Sequence, residues 1–230
     1  MSKEKYWIYG KHPVISAINN PNRVIHQIVA TKNQMSELDS EYKISEISPK
    51  DLSKLLPHDA VHQGVAALVS PLPNHELESI KGDSVLILDE ITDPHNIGAI
   101  LRSASAFGIS AVITTTKNFP KETAVVAKVS SGALDIVPII RVANLVNAID
   151  FLKKNDYWVV GLDGKATYHL NKVSEFNKVA LIAGAEGKGL RNLTVKNCDI
   201  LVKIPISNIE SLNVSNAVAI SLYELRRKTE

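Results

Sequence analysis

Three short stretches of this 230-residue chain bring glycine, amide, hydroxyl and charged side chains together at spacings suited to chemistry, and each follows an apolar run. The first, residues 89–103, holds the turn-forming pair Asp93-Pro94, then Asn96 as the expected N-cap of a helix, then Arg102. On its side of that helix Arg102 has only Gly98, Ala99, Ser103 and Ala106 as neighbours. Small residues clear space around a guanidinium, which suits a phosphate or a closely approaching chain; a solvated surface charge is the alternative. The second stretch, residues 184–189, reads Gly-Ala-Glu-Gly-Lys-Gly. One glycine suffices for a strand-to-helix turn, whereas three let the backbone turn sharply and approach a ligand closely. The third, residues 203–217, sets Ser211, Asn213 and Ser215 where the last helix begins. Capping accounts for one of them; a cluster of polar side chains and free amides can also hold a ligand.

Several chemistries are excluded by spacing. The order G-x-x-G-x-G at 184–189 is neither the dinucleotide fingerprint G-x-G-x-x-G nor the P-loop G-x-x-x-x-G-K-[ST], so nicotinamide and phosphate-hydrolase readings lose support. Cys198 is the one cysteine, which leaves no internal disulfide and no cysteine metal framework. His58 and His62 are four apart, but Pro57 and Gly64 flank them and argue against a helical metal pair; no metal is expected.

The elements that must position these stretches follow from periodicity. Apolar runs at 85–88, 111–115, 136–142, 157–162, 178–183 and 199–206 alternate with helical patterns at 96–107, 122–131, 144–155 and 214–227. Continuous apolar strands separated by helices predict an α/β fold with a parallel sheet covered on both faces. Ligands of such sheets sit beyond the carboxyl ends of the strands, where all three stretches lie. The last helix carries Val218, Ile220, Leu222 and Leu225, which read as a core-facing stripe.

Before residue 71 lies a piece of about 70 residues, near the smallest size that builds its own core. Strands are expected at 24–30, 42–48 and 63–70, with a helix at 49–56 opened by Pro49. Two prolines and little periodicity mark the following stretch as a linker. Residues 1–35 hold five basic residues and one acid, residues 36–80 three basic residues and eight acids. The basic run, with Tyr6, Trp7, Tyr9 and His12 interleaved, is either one solvated face or a surface for a polyanion with unpaired bases. Across the chain the net charge is only +2, against a protein that coats nucleic acid by charge alone, and 45% hydrophobic with 22% charged residues excludes a mostly disordered chain. No run approaches a membrane-spanning helix and the first residues lack a secretory core, so a cytoplasmic location is expected.

The three stretches together resemble the SpoU-type branch of the SPOUT RNA methyltransferases, across residues 84–228 and in the family's order. The resemblance rests on T-D-P-H-N-I-G-A-I-L-R-S at 92–103, L-I-A-G-A-E-G-K-G-L at 181–190, and I-P…S-L-N-V-S at 204–215. Residues 8–14, I-Y-G-K-H-P-V, are similar to the opening of the small α/β RNA-binding domain many members carry. One departure stands out: members commonly have a glycine between the I-P and the S-L-N, where this chain has Ser207-Asn208-Ile209 and is slightly shorter.

The resemblance implies an N-terminal RNA substrate-binding domain over 1–72, a linker over 73–83 and a methyltransferase domain over 84–230 with a trefoil knot. It implies methyl transfer from S-adenosylmethionine to a ribose 2′-hydroxyl, as in members that modify a guanosine of 23S rRNA; a tRNA target or a non-catalytic ribosome assembly role are the alternatives. Gly184, Gly187, Gly189, Ile204 and Leu212 then match cofactor positions. Arg102, Asn96, Glu186, Ser211 and Asn213 match the polar catalytic positions, and a homodimer with shared sites is expected. Lys11, His12 and Arg23 are the candidate RNA contacts.

Overall fold

A computed structural model describes residues 4–38, 41–117 and 119–227. In chain order the elements are β1 (Tyr6–Tyr9), α1 (Lys11–Asn19), β2 (Ile25–Ala30), α2 (Lys32–Met35), β3 (Ile44–Glu46), α3 (Pro49–Leu55) and β4 (Val65–Val69). Then follow β5 (Ser84–Asp89), α4 (Pro94–Ala106), β6 (Ala111–Thr115), α5 (Ala124–Val129), β7 (Ile139–Val142), α6 (Leu145–Lys154) and β8 (Trp158–Leu162). The chain closes with β9 (Tyr168–His169), β10 (Val179–Gly184), α7 (Asn192–Asn197), β11 (Ile200–Lys203) and α8 (Val214–Arg227). Contacts divide it into two units, residues 1–73 with 121–136, and residues 74–120 with 137–230.

The first unit is a four-stranded sheet in the order β1-β4-β2-β3. Its central strand β4 buries Val65, Ala66, Ala67 and Val69, and the two alanines leave room for the helices above them. Gly10 starts α1 at a φ of 93°, which costs an L side chain dearly. Ser48 caps α3, accepting from the Asp51 amide, with Pro49 in the first turn as expected. Expectation and structure part over the aromatics of β1. Tyr9 is buried with Val29, Leu52, Leu56 and Ala66, Trp7 packs against that cluster, and the Tyr6 hydroxyl donates to Glu122. They stabilise the unit internally and do not stand free to stack on bases.

Residues 121–136, which the sequence division assigned to the C-terminal domain, pack within the first unit. The pattern at 122–131 condenses to α5 and a 3-10 turn at Ala133–Asp135, and Ala124 of α5 adds to the cluster around Tyr9. Arg23 is the tie. Its Nε and Nη2 donate to the two oxygens of Asp135 at 2.6 and 3.1 Å, and Nη1 donates to Glu122 at 3.2 Å and to the Ser70 carbonyl at 2.9 Å. All three charged side chains are at most 2% exposed. This corrects the expectation that Arg23 contacts RNA: every group on its guanidinium faces the protein. Burial, then the Glu122 carboxylate, also pushes the Tyr6 phenol above its ordinary value. Lys11 pairs with Glu37, while His12 is exposed; Lys3 and Asp39 of the two charge blocks lie outside the described residues.

The second unit is a seven-stranded sheet in the order β7-β6-β5-β10-β8-β11-β9, with each neighbouring pair parallel. One face, with Val85, Ile87, Ile113, Ile140, Val159 and Ile182, packs on Leu145, Ala148, Ile149 and Leu152 of α6. Alternation sends the fully buried Leu86, Leu88 and Leu181 to the other face, where α4 and α8 pack together. The α8 stripe resolves accordingly: Val218, Leu222 and Leu225 are buried, while Ile220 and Tyr223 are exposed. Among the described residues no helix is long and apolar enough to cross a membrane, and no three His, Cys, Asp or Glu are grouped to hold a metal ion.

Two outcomes follow. Arg23→Met removes the guanidinium that meets both oxygens of the buried Asp135 carboxylate and lowers stability by about 3–5 kcal/mol, measured by urea unfolding. Burial pushes the Cys198 thiol up to about 12, so at pH 8 a thiol reagent modifies the native protein more slowly than the unfolded chain, whose thiol titrates near 8.5.

Candidate functional site

The carboxyl ends of β5, β10 and β11 deliver the three stretches, all within the second unit. β10 lies between β5 and β8, and in that register Gly184 stands opposite Asp89. Beyond Gly184 the chain makes a closed turn: the Gly189 amide donates to the Ala185 carbonyl at 2.8 Å, and the two residues form a bridge. A Cβ on Gly184 would sit 2.3 Å from the Gly189 backbone, so only glycine allows this closure. Gly187 and Gly189 have φ of 77° and 67°, with nothing within 4 Å of where a Cβ would stand. The amides of residues 186–188 make no backbone hydrogen bond among the described residues. Exposed amides beside open space leave main-chain donors available to a ligand.

The turn leaves through Arg191, whose Nε donates to Asp89 Oδ1 at 2.6 Å and whose amide donates to Oδ2 at 3.1 Å. Asp89 is wholly buried and Arg191 is 42% exposed, with the Glu90 carboxylate 4.0 Å from its Nε. Neither Asp89 nor Arg191 stood out in the sequence. The signal available was an acid closing an otherwise apolar strand, which demands a partner when buried.

Helix α4 begins two residues earlier than expected. Asp93 is its cap, accepting from the Asn96 amide at 2.8 Å, and Pro94 occupies the first turn. This corrects Asn96 as N-cap and frees its side chain. The Asn96 carbonyl oxygen accepts from Asn213 Nδ2 at 3.0 Å, and Asn213 Oδ1 accepts from the Ser215 amide and hydroxyl at the start of α8. The first and third stretches are thereby joined. Arg102, Glu186 and Ser211 are exposed, and their side chains make no hydrogen bond or ion pair among the described residues. Ile204 and Leu212 are half-buried apolar walls at either end of the exposed loop 205–211. Within that loop Asn208 has a φ of 67°, a left-handed conformation that asparagine tolerates.

Comparison with known proteins agrees with this geometry. Residues 83–223 match the SpoU rRNA methylase family, and residues 7–75 match the RNA 2′-O ribose methyltransferase substrate-binding domain. The chain belongs to the SpoU rRNA methylase family. A 23S rRNA (guanosine-2′-O-)-methyltransferase RlmB of Vibrio vulnificus is 37% identical over 244 residues, covering 99% of this chain and 98% of that one. The protein of the same name from Coxiella burnetii is 37% identical over 252 residues, covering 100% and 98%. The crystal structure of the SpoU methyltransferase AviRb from Streptomyces viridochromogenes, in complex with AdoMet, shares the fold with a TM-score of 0.82 at 23% identity, covering 98% of this chain and 90% of that one. In this SpoU family member the loop geometry carries a checkable cost. Glu90 also adopts a left-handed conformation, at a φ of 61°. Glu90→Gly raises stability by about 0.5–1 kcal/mol, as glycine relieves that strain and loses part of the gain to unfolded-chain entropy. Asn208→Gly stays near zero, because asparagine already tolerates the conformation. Thermal unfolding of the two variants checks the difference.

Proposed function

We propose that this chain transfers a methyl group from S-adenosylmethionine to the ribose 2′-hydroxyl of a guanosine in 23S rRNA. The observation that carries the reading is the full-length similarity to proteins named for that reaction, together with a glycine turn of open backbone after β10 and the Asn96–Asn213 bond that joins the other two stretches. Residues present fit the methyl donor: Gly184 lets the turn close, Gly187 and Gly189 leave open space beside it, the amides of 186–188 make no backbone hydrogen bond among the described residues, and Ile204 and Leu212 are half-buried apolar residues at the ends of the third stretch. When bound, S-adenosylmethionine supplies an electrophilic methyl on an excellent leaving group. What the protein adds is alignment, which contributes about 7–11 kcal/mol in well-oriented systems.

Arg102 presents an exposed guanidinium and acts as a fixed cation. It holds the RNA phosphate and, as the 2′-hydroxyl releases its proton to water and the C–S bond to the donor methyl breaks, stabilises the negative charge on the attacking oxygen. Asn96 and Glu186 shape the site by hydrogen bonding, and Ser211 with Asn213 contacts substrate or donor. Residues 1–72 bind the RNA, with Lys11 and His12 as contacts. A homodimer fits the exposed Ile220 and Tyr223 on α8, and a trefoil knot and a cytoplasmic location complete the reading.

Tritium transfer from labelled donor to RNA of a strain lacking the enzyme tests it. Recovery of 2′-O-methylguanosine from large-subunit RNA is expected; label on a base, label confined to tRNA, or no label counts against it. Arg102→Ala is expected to bind donor as the parent does while kcat falls about 10²–10³-fold, the effect of removing one charge-stabilising donor.

A further inference from the structure

We propose that Asp89 and Arg191 are a positioning pair that holds the glycine turn open for the methyl donor, so that the pair sets donor affinity without touching the reacting atoms. The inference rests on the methyltransferase reading of that turn. Both ends of the loop are fastened to one residue. On entry, Gly184 lies opposite Asp89 in the β5–β10 ladder; on exit, the Arg191 amide and Nε return to the two oxygens of the Asp89 carboxylate.

Between those ties the turn is closed by the Ala185–Gly189 hydrogen bond. Two of its residues are glycines at positive φ, the residue type with the most freedom to lose, so a turn without its exit tie samples many shapes. Binding to such an ensemble is weaker, since ordering falls on the binding step. The carboxylate has no access to water, so it needs both donors that Arg191 provides.

A direct contact between Arg191 and RNA is the rival role, and local charge argues against it. Asp89 already neutralises the guanidinium, and Glu90 at 4.0 Å leaves the group of three with a net negative charge that turns a phosphate away. The bidentate grip on a buried acid is the geometry of a strut.

The test compares Arg191→Gln, Arg191→Lys and the Asp89→Asn/Arg191→Gln double variant with the parent in the full chain. Calorimetry gives donor Kd, steady-state kinetics gives KM for donor and RNA, and thermal unfolding reports the fold. Because Arg191 is part-exposed, Arg191→Gln should remain folded. Its Kd and KM for the donor rise on the order of 10–100-fold, the size of a loss of positioning, while kcat at saturating donor and KM for RNA move far less. Both variants keep the backbone amide tie; Arg191→Lys, which also keeps the charge beside Asp89, recovers part of that loss. The double variant is no weaker in donor binding than Arg191→Gln, because the two residues act as one unit. A lowered melting temperature with unchanged donor Kd overturns the proposal in favour of a purely structural clamp. A raised KM for RNA with unchanged donor Kd overturns it in favour of an RNA contact. If the parent protein binds no donor, the methyltransferase reading fails and takes the proposal with it; if the parent binds and Arg191→Gln binds equally well, only the positioning pair falls.

Discussion

A carboxylate without access to water sits at the end of β5, and the second unit's site is arranged around its need for partners. Asp89 stands opposite Gly184 because β10 runs between β5 and β8, and its two oxygens are met by the backbone and side chain of Arg191. A buried acid left unpaired is costly, so the loop that supplies those donors is drawn back over the strand end. The same constraint forces residue 184 to be glycine, since the returning Gly189 backbone occupies the space a Cβ would take. Buried charge, strand order and glycine are thus one arrangement seen from three sides.

The candidate site built on that arrangement divides its work between main chain and side chain. The turn at 186–188 presents amides and open space, which grip a ligand without needing a particular side chain. The Asn96–Asn213 bond joins α4 to the start of α8 and holds two polar stretches at a fixed separation. Arg102 is left exposed and without a partner among the described residues. A guanidinium so placed retains its full capacity for an anion, in contrast to Arg23 and Arg191, whose carboxylates already claim them.

Arg23 shows why composition does not single out the contact residues of the N-terminal unit, although residues 7–75 match an RNA substrate-binding domain. A basic, aromatic stretch is the footprint of a nucleic-acid surface, yet Tyr6, Tyr9 and Arg23 turn inward and bind residues 122–135. A unit of this size has a small core of its own, and the extra segment enlarges it with Ala124 and a buried ion-pair network. Such networks contribute little net stability against an apolar alternative but penalise any arrangement that separates the partners.

By itself the sequence determined what depends on near neighbours. Unbroken apolar runs such as 85–88 and 179–183 require burial on both faces, hence a parallel sheet, and the pattern at 214–227 marks α8 to the residue. The order of the three polar stretches and the resemblance they carry were equally legible, because motif residues lie close together along the chain. Tertiary structure alone decided which strands are neighbours, that Asp93 and not Asn96 caps α4, that residues 121–136 pack with the first unit, and that Asp89 and Arg191 meet across 102 positions. Periodicity records which face of an element is apolar. It carries no record of the distant partner that will cover that face or neutralise a buried charge, and that choice is made only when the whole chain packs.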